Sequence, residues 1–189
     1  MEEQFIKAIN DYKKQAQGDI YNGYTIKEYT YNFERVKLFE EKLSIMLPVV
    51  FEEMDEEFKN IKYPNVNRPQ VIKTSLDGAV NFTFSLFDVD LNEEALTPFK
   101  GQMQNMLRKI QPSTLFFDSK DDDANNTKIS WFDYKGFALD DTIYNLICIV
   151  PIGGKYLHCL FNCRFSEKDL WKPAMIQVVQ SITDETKNK

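Results

Sequence analysis

The longest apolar pattern in the chain covers residues 142–164, TIYNLICIVPIGGKYLHCLFNCR, where two runs flank Gly153-Gly154. Glycine accepts the positive φ of a tight turn, so the segment predicts a β-hairpin. Successive strand residues point to opposite faces. Leu146, Cys148 and Val150 share one face with Leu157, Cys159 and Phe161; Ile147 and Ile149 share the other with Tyr156, His158 and Leu160. Neither face is polar, which predicts a central hairpin covered on both sides.

Upstream, the period changes several times. Phe5, Ile9, Tyr12 and Ala16 recur at helical spacing and predict a helix over residues 2–17, stopped by Gly18, with a turn at Asn22-Gly23. Tyr29, Tyr31 and Phe33 alternate with polar residues, then Val36 and Leu38, and after Glu40-Glu41 so do Leu43, Ile45 and Leu47. This reads as a hairpin with one wet face, ended by Pro48. Residues 52–61, EEMDEEFKNI, predict a short helix with acids in its first turn. Residues 70–75 and 79–87 flank Asp77-Gly78 as a second hairpin, with Val80, Phe82, Phe84 and Leu86 on one face.

Thr97-Pro98 offers a capping hydroxyl and a proline at the first helical position, a better helix start than Asn92. Phe99, Met103, Met106, Leu107 and Ile110 then form one broad apolar face up to Pro112. Residues 115–117 lead into a polar loop, SKDDDANNTK, and residues 129–134 form another strand. The last helix lies within residues 166–182, with Ser166 and Asp169 resembling a capping box and Pro173 marking its regular start. Hairpins in series with helices between them predict an α+β fold. Its antiparallel β-sheet is built from sequential hairpins and has helices on both faces, an α/β/α sandwich.

Composition narrows the setting. The 189 residues suit a single domain, and 43% hydrophobic content with 15 phenylalanines suits a packed core. A net charge of −6 disfavours nucleic acid and anionic membranes as partners. No stretch reaches the roughly 18 apolar residues of a membrane span, and MEEQFIKAIN lacks the basic start of a signal peptide, so a cytoplasmic location is expected. Asparagine outnumbers alanine 14 to 7, a bias that fits AT-rich coding and a low-GC bacterium.

The order of elements carries a resemblance. A hairpin closing on LSIMLP, the excursion after it, the long run of antiparallel strands and the amphipathic helix after FSEKDLW resemble the PsbP/Mog superfamily. That superfamily includes the extrinsic photosystem II protein, the Ran-binding Mog protein and uncharacterised bacterial relatives. The resemblance covers roughly residues 35–183 as a sandwich core and leaves residues 1–18 as a peripheral N-terminal helix. It implies a binding or accessory protein rather than an enzyme. No Ran-contacting or photosystem-binding residue matches a position in this chain.

Candidate chemistry is sparse. His158 could serve as a base or metal ligand, but no orienting carboxylate or nucleophile accompanies it, so a partly buried strand histidine is expected. Three cysteines do not form a disulfide framework, and Cys159 and Cys163 lie about 13 Å apart along one strand, too far to share a zinc ion. With a two-residue turn at Gly153-Gly154, Cys148 and Cys159 stand directly opposite each other as buried free thiols. Asp118, Asp121, Asp122 and Asp123 invite a calcium reading but lack EF-hand spacing, leaving a solvated loop. Trp131, Phe132 and Tyr134 read as core.

KYPNVNRP gathers Lys62, Tyr63 and Arg68 on a proline-stiffened loop, and these three are the expected binding residues. No catalytic residue, metal or cofactor is expected. The expected function is a non-enzymatic interaction or accessory module of a bacterial cytoplasm with a protein partner. The alternative is a small-ligand-binding domain with an aromatic- and methionine-lined pocket between sheet and helix.

Overall fold

The computed structural model of the chain describes residues 1–13 and 16–188. In chain order its elements are α1 (Glu2–Lys13), β1 (Ala16–Asp19), β2 (Gly23–Ile26), β3 (Tyr29–Tyr31), β4 (Phe33–Leu38), β5 (Leu43–Pro48), β6 (Glu52–Glu53) and α2 (Glu56–Lys62). There follow β7 (Val71–Thr74), β8 (Asn81–Asp90), α3 (Leu96–Ile110), β9 (Leu115–Asp123), β10 (Lys128–Phe137), β11 (Thr142–Ile152), β12 (Lys155–Arg164), α4 (Lys168–Gln180) and β13 (Thr183–Asp184).

The central hairpin is β11–β12. Gly153 and Gly154 have φ of 57° and 74°, the pair of left-handed conformations that a two-residue turn needs. Cys148 pairs with Cys159 across it, and all three cysteines are buried free thiols. Burial pushes each thiol's pKa up, which keeps it protonated and unreactive. Around this hairpin a seven-stranded antiparallel sheet runs in the order β6-β7-β8-β12-β11-β10-β9. The hairpins are therefore not laid down side by side. β8 pairs with β12, while the next strand in sequence, β9, lies at the far edge and runs parallel to β8. Parallel strands need a crossover, and α3 supplies it by crossing the face of the sheet.

Helices cover both faces. On one side α4 packs with β1–β5 over Phe82, Phe84, Leu146, Cys148, Cys159 and Phe161. On the other, α3 covers Phe132, Tyr134, Ile147, Ile149 and Tyr156. Trp131 belongs to the first cluster and Phe132 and Tyr134 to the second, so this aromatic run is core on both faces.

Several local expectations change. The N-terminal helix ends at Lys13 rather than running to residue 17, and Ala16 opens a strand. The Asp19 carboxylate accepts from Tyr21 and Asn22 backbone N–H at 2.7 and 2.8 Å, which folds the chain into the β1–β2 hairpin. Tyr12, expected on the helix's apolar face, has a side chain outside the described residues. The β4–β5 hairpin is not wet on one face: Ser44 and Met46 of β5 are buried. The chain returns after α4, lays β13 against β5, and lets Ser181 Oγ accept from Met46 N at 2.9 Å.

Residues 52–53 are strand, and the helix starts at Glu56 because Asp55 caps it, accepting from Phe58 N. Asn92 rather than Thr97 caps the segment leading into α3, accepting from Ala95 N at 2.9 Å through a short 3-10 turn. Pro173 lies inside α4 rather than at its start. An internal proline costs about 3 kcal/mol, and burial of Leu170, Trp171, Ala174 and Met175 offsets it.

The expected acidic loop is the edge strand β9, and its carboxylates are all engaged. Alternate residues reach opposite faces: Asp118 pairs with Lys172 and Asp122 accepts from Gln180, both on α4, while Asp121 pairs with Lys100 on α3. Asp123 pairs with Lys128 of β10. Burial pushes the Asp121 carboxyl up, but hydrogen bonds from Lys100, Ser130 and Thr97 outweigh it and hold its pKa at about 2. One edge strand thus ties down both layers of helix.

Candidate functional site

Asp121 fixes where α3 lies. It accepts from Thr97 Oγ1 and Lys100 Nζ, both at 2.7 Å, so the start of α3 is anchored toward β9 and the helix rests on β10 and β11. Lys100 is buried to make this contact, with its side chain 7% exposed. Phe99, Met103 and Leu107, one row at i, i+4 and i+8, pack down onto the sheet. The β12 and β8 side of the same face is left less covered.

A groove of about 420 Å³ opens there. Tyr156 and His158 of β12 form its floor, Phe87 of β8 one wall, and Phe99, Met103 and Met106 of α3 the other, with Gln102 at the rim. The walls are held by ring contacts: Phe99 meets Tyr156 edge-on at 4.9 Å, and Phe87 stacks on it at 5.4 Å. Phe87 stays 42% exposed, Met106 53% and Ile110 67%, so the apolar surface continues along α3 to its end.

The only paired polar atoms on the floor bind each other. Tyr156 Oη lies 2.6 Å from His158 Nδ1. Burial lowers the His158 pKa to about 4, so near neutral pH the imidazole is uncharged and shares one hydrogen bond with the Tyr156 hydroxyl through Nδ1. No carboxylate or nucleophile lines the groove, so the pair lacks the partners of a catalytic histidine.

The expected binding residues do not converge on one cavity. Lys62 donates to the Gly78 carbonyl and lines a shallow cleft between α2 and the β7–β8 turn. Arg68 bonds Glu56 at 2.5 Å and Asn60 at 3.0 Å, stapling its loop to α2. Burial raises the Tyr63 pKa, against a hydrogen bond with Asn162 that lowers it. Asn162 continues the β12 row of His158 and Leu160, so Tyr63 covers the same sheet face about 13 Å along the strand from His158. Tyr63 is thereby tied to the groove's face of the sheet.

The sequence suggests an aromatic- and methionine-lined site between sheet and helix but not which residues form it, because the β8–β12 pairing, which brings Phe87 beside Tyr156, joins distant segments. One signal was present. The apolar face of α3 is broader than the sheet needs, and Met106 and Ile110 are its surplus.

No sequence family matches the chain, and no curated protein does. Solved structures do. The cyanobacterial PsbP (CyanoP) of Synechocystis sp. PCC 6803 is 11% identical, covers 80% of this chain and 92% of its own, and superimposes with a TM-score of 0.58. A protein of Bacteroides thetaiotaomicron VPI-5482 is 12% identical over 82% of this chain and half of its own length, with a TM-score of 0.50. A protein of unknown function from Pseudomonas aeruginosa is 12% identical over 78% and 94%, with a TM-score of 0.44. Identity this low speaks to architecture alone. Strand order, helices on both faces and the match to the cyanobacterial protein together show that the chain has a PsbP-like α+β fold.

Proposed function

We propose that this protein is a non-enzymatic interaction or accessory module of a bacterial cytoplasm, and that the groove beside α3 receives an apolar segment of a partner protein. The observation that carries the reading is the open apolar surface formed by Phe87, Met103 and Met106 and prolonged by Ile110. Exposed methionine is adaptable and polarizable, and aromatic walls add contact area with little entropy to lose. A small-ligand pocket would be expected to enclose its guest and to direct free polar groups at it. Here His158 and Tyr156 satisfy each other. Among the described residues no helix is long and apolar enough to cross a membrane, which is compatible with a protein partner in solution.

Methionine-methyl NMR spectra, titrated with a panel of amphipathic helical peptides, test the proposal. Met103 and Met106 should shift together with the Phe87 and Tyr156 ring signals, and Met106→Glu should weaken the binding at least tenfold. Shifts confined to other methionines, or none across the panel, would refute it.

A further inference from the structure

Among its described side chains, α1 is an amphipathic helix with an uncovered apolar face. Every residue from Met1 to Asp11 is exposed, including Met1, Phe5, Ile6 and Ile9. A 12-residue helix is marginal in water unless its apolar stripe is covered. The α3 groove has the converse property, an apolar surface with no helix on it. Resting on the groove reading above, we infer that α1 of one copy of this chain docks in the α3 groove of a second copy, reciprocally, to form a two-fold dimer.

Three features fix the occupant and its direction. The first is spacing. Met1, Phe5 and Ile9 recur every four residues on α1, as do Ile110, Met106 and Gln102 on α3 read backwards. Both helices rise about 1.5 Å per residue, so antiparallel docking sets Met1 beside Ile110, Phe5 beside Met106 and Ile9 beside Gln102, at the mouth of the groove. The second is charge. That register brings Glu2 and Glu3 in the first turn of α1 next to Arg108 and Lys109 in the last turn of α3. Antiparallel helix dipoles add to the match.

The third is reach. β1 and β2 lie on the α4 side of the sheet, where Tyr24 Oη donates to the Leu170 carbonyl at 2.5 Å and Ile20 N to Gln177 Oε1 at 3.0 Å. The groove is on the opposite face. Three peptide units from Lys13 to Ala16 span at most about 11 Å. Two packed layers measure about 20 Å. α1 therefore cannot lie along α3 of its own chain, and a second copy supplies the groove. Each copy gives one helix and one groove, so a reciprocal exchange fills both grooves in a closed two-fold pair.

Sedimentation equilibrium of the full chain at concentrations up to about 100 µM tests the inference. A dimer is expected. Phe5→Glu, on a side chain that is 69% exposed, and Met106→Glu, in the groove, should each give a folded monomer whose thermal unfolding no longer depends on protein concentration. An equimolar mixture of the two variants should re-form a heterodimer, because one intact helix and one intact groove remain. Amide exchange of residues 2–11 should also slow as the concentration of the unaltered protein rises. A monomer at every concentration, a dimer that survives Phe5→Glu, or variants that fail to pair on mixing would each overturn the inference. If the monomeric result comes with methionine shifts induced by another amphipathic peptide, the groove reading stands without α1; if no peptide shifts them either, both fall.

Discussion

The imidazole of His158 illustrates how a chemically suggestive residue is absorbed by packing. Its pKa falls from the usual 6.5 to about 4 because burial disfavours the charged form. The unfolded chain then binds a proton that the folded chain refuses between those two values. Stability is full above about pH 6.5 and declines as pH falls toward 4. The expected loss between pH 7 and pH 5 is about 2 kcal/mol. Urea unfolding of the unaltered protein and of His158→Gln at both pH values measures it. The difference between the two proteins should shrink at pH 5, and parallel pH profiles would refute the account. Carboxylates interfere little in this window, since unfolded Asp and Glu side chains take up protons mainly below it, near pH 4.

At the scale of elements, β9 and α4 are joined by a buried ionic network. Lys172 reaches Asp118 at 2.5 Å and Asp133 at 2.6 Å; Asp133 is fully buried and also accepts from Tyr144 Oη at 2.7 Å. Burial, then the Asp133 charge, pushes the Tyr144 pKa far up, so the phenol is a donor at any ordinary pH. Removing one partner of a buried pair leaves a charge uncompensated. Lys172→Met should therefore cost about 3 kcal/mol. Adding Asp133→Asn to it should recover part of that loss, since the stranded charge is then gone. Thermal denaturation of the single and double variants decides, and a double variant less stable than the single would contradict this description. Sequence periodicity revealed α3, α4 and the central hairpin because each has a strong local signal. It misread β9 as loop because its interior is polar: the Asp residues look solvated until Lys100, Lys172 and Gln180 arrive from far along the chain. Lys62 and Arg68 were singled out for the opposite reason. Cations in a loop look available, and only tertiary structure shows the Gly78 carbonyl and Glu56 engaging them.

For the whole molecule, the layered architecture followed from one local fact, that the β11–β12 hairpin is apolar on both faces. Strand order did not, because it depends on which distant segments meet. That order bears on synthesis. β8 joins the sheet through β12, and Asn81 on β8 bonds Asn162 on β12 across 81 positions of chain. A ribosome that has released β8 still holds its partner inside, so Phe82 and Phe84 must wait uncovered while α3, β9, β10 and β11 are made. Non-local pairing of this kind is slow and exposes aggregation-prone surface. Nascent chains arrested before residue 155 emerges should be digested rapidly by protease, and chains arrested once residue 182 is outside should resist it. Resistance at the earlier point would mean that β8 finds another cover. The same pairing that places Phe87 beside Tyr156 in the finished protein thus makes the unfinished one a client for whatever shields apolar strands at the ribosome exit.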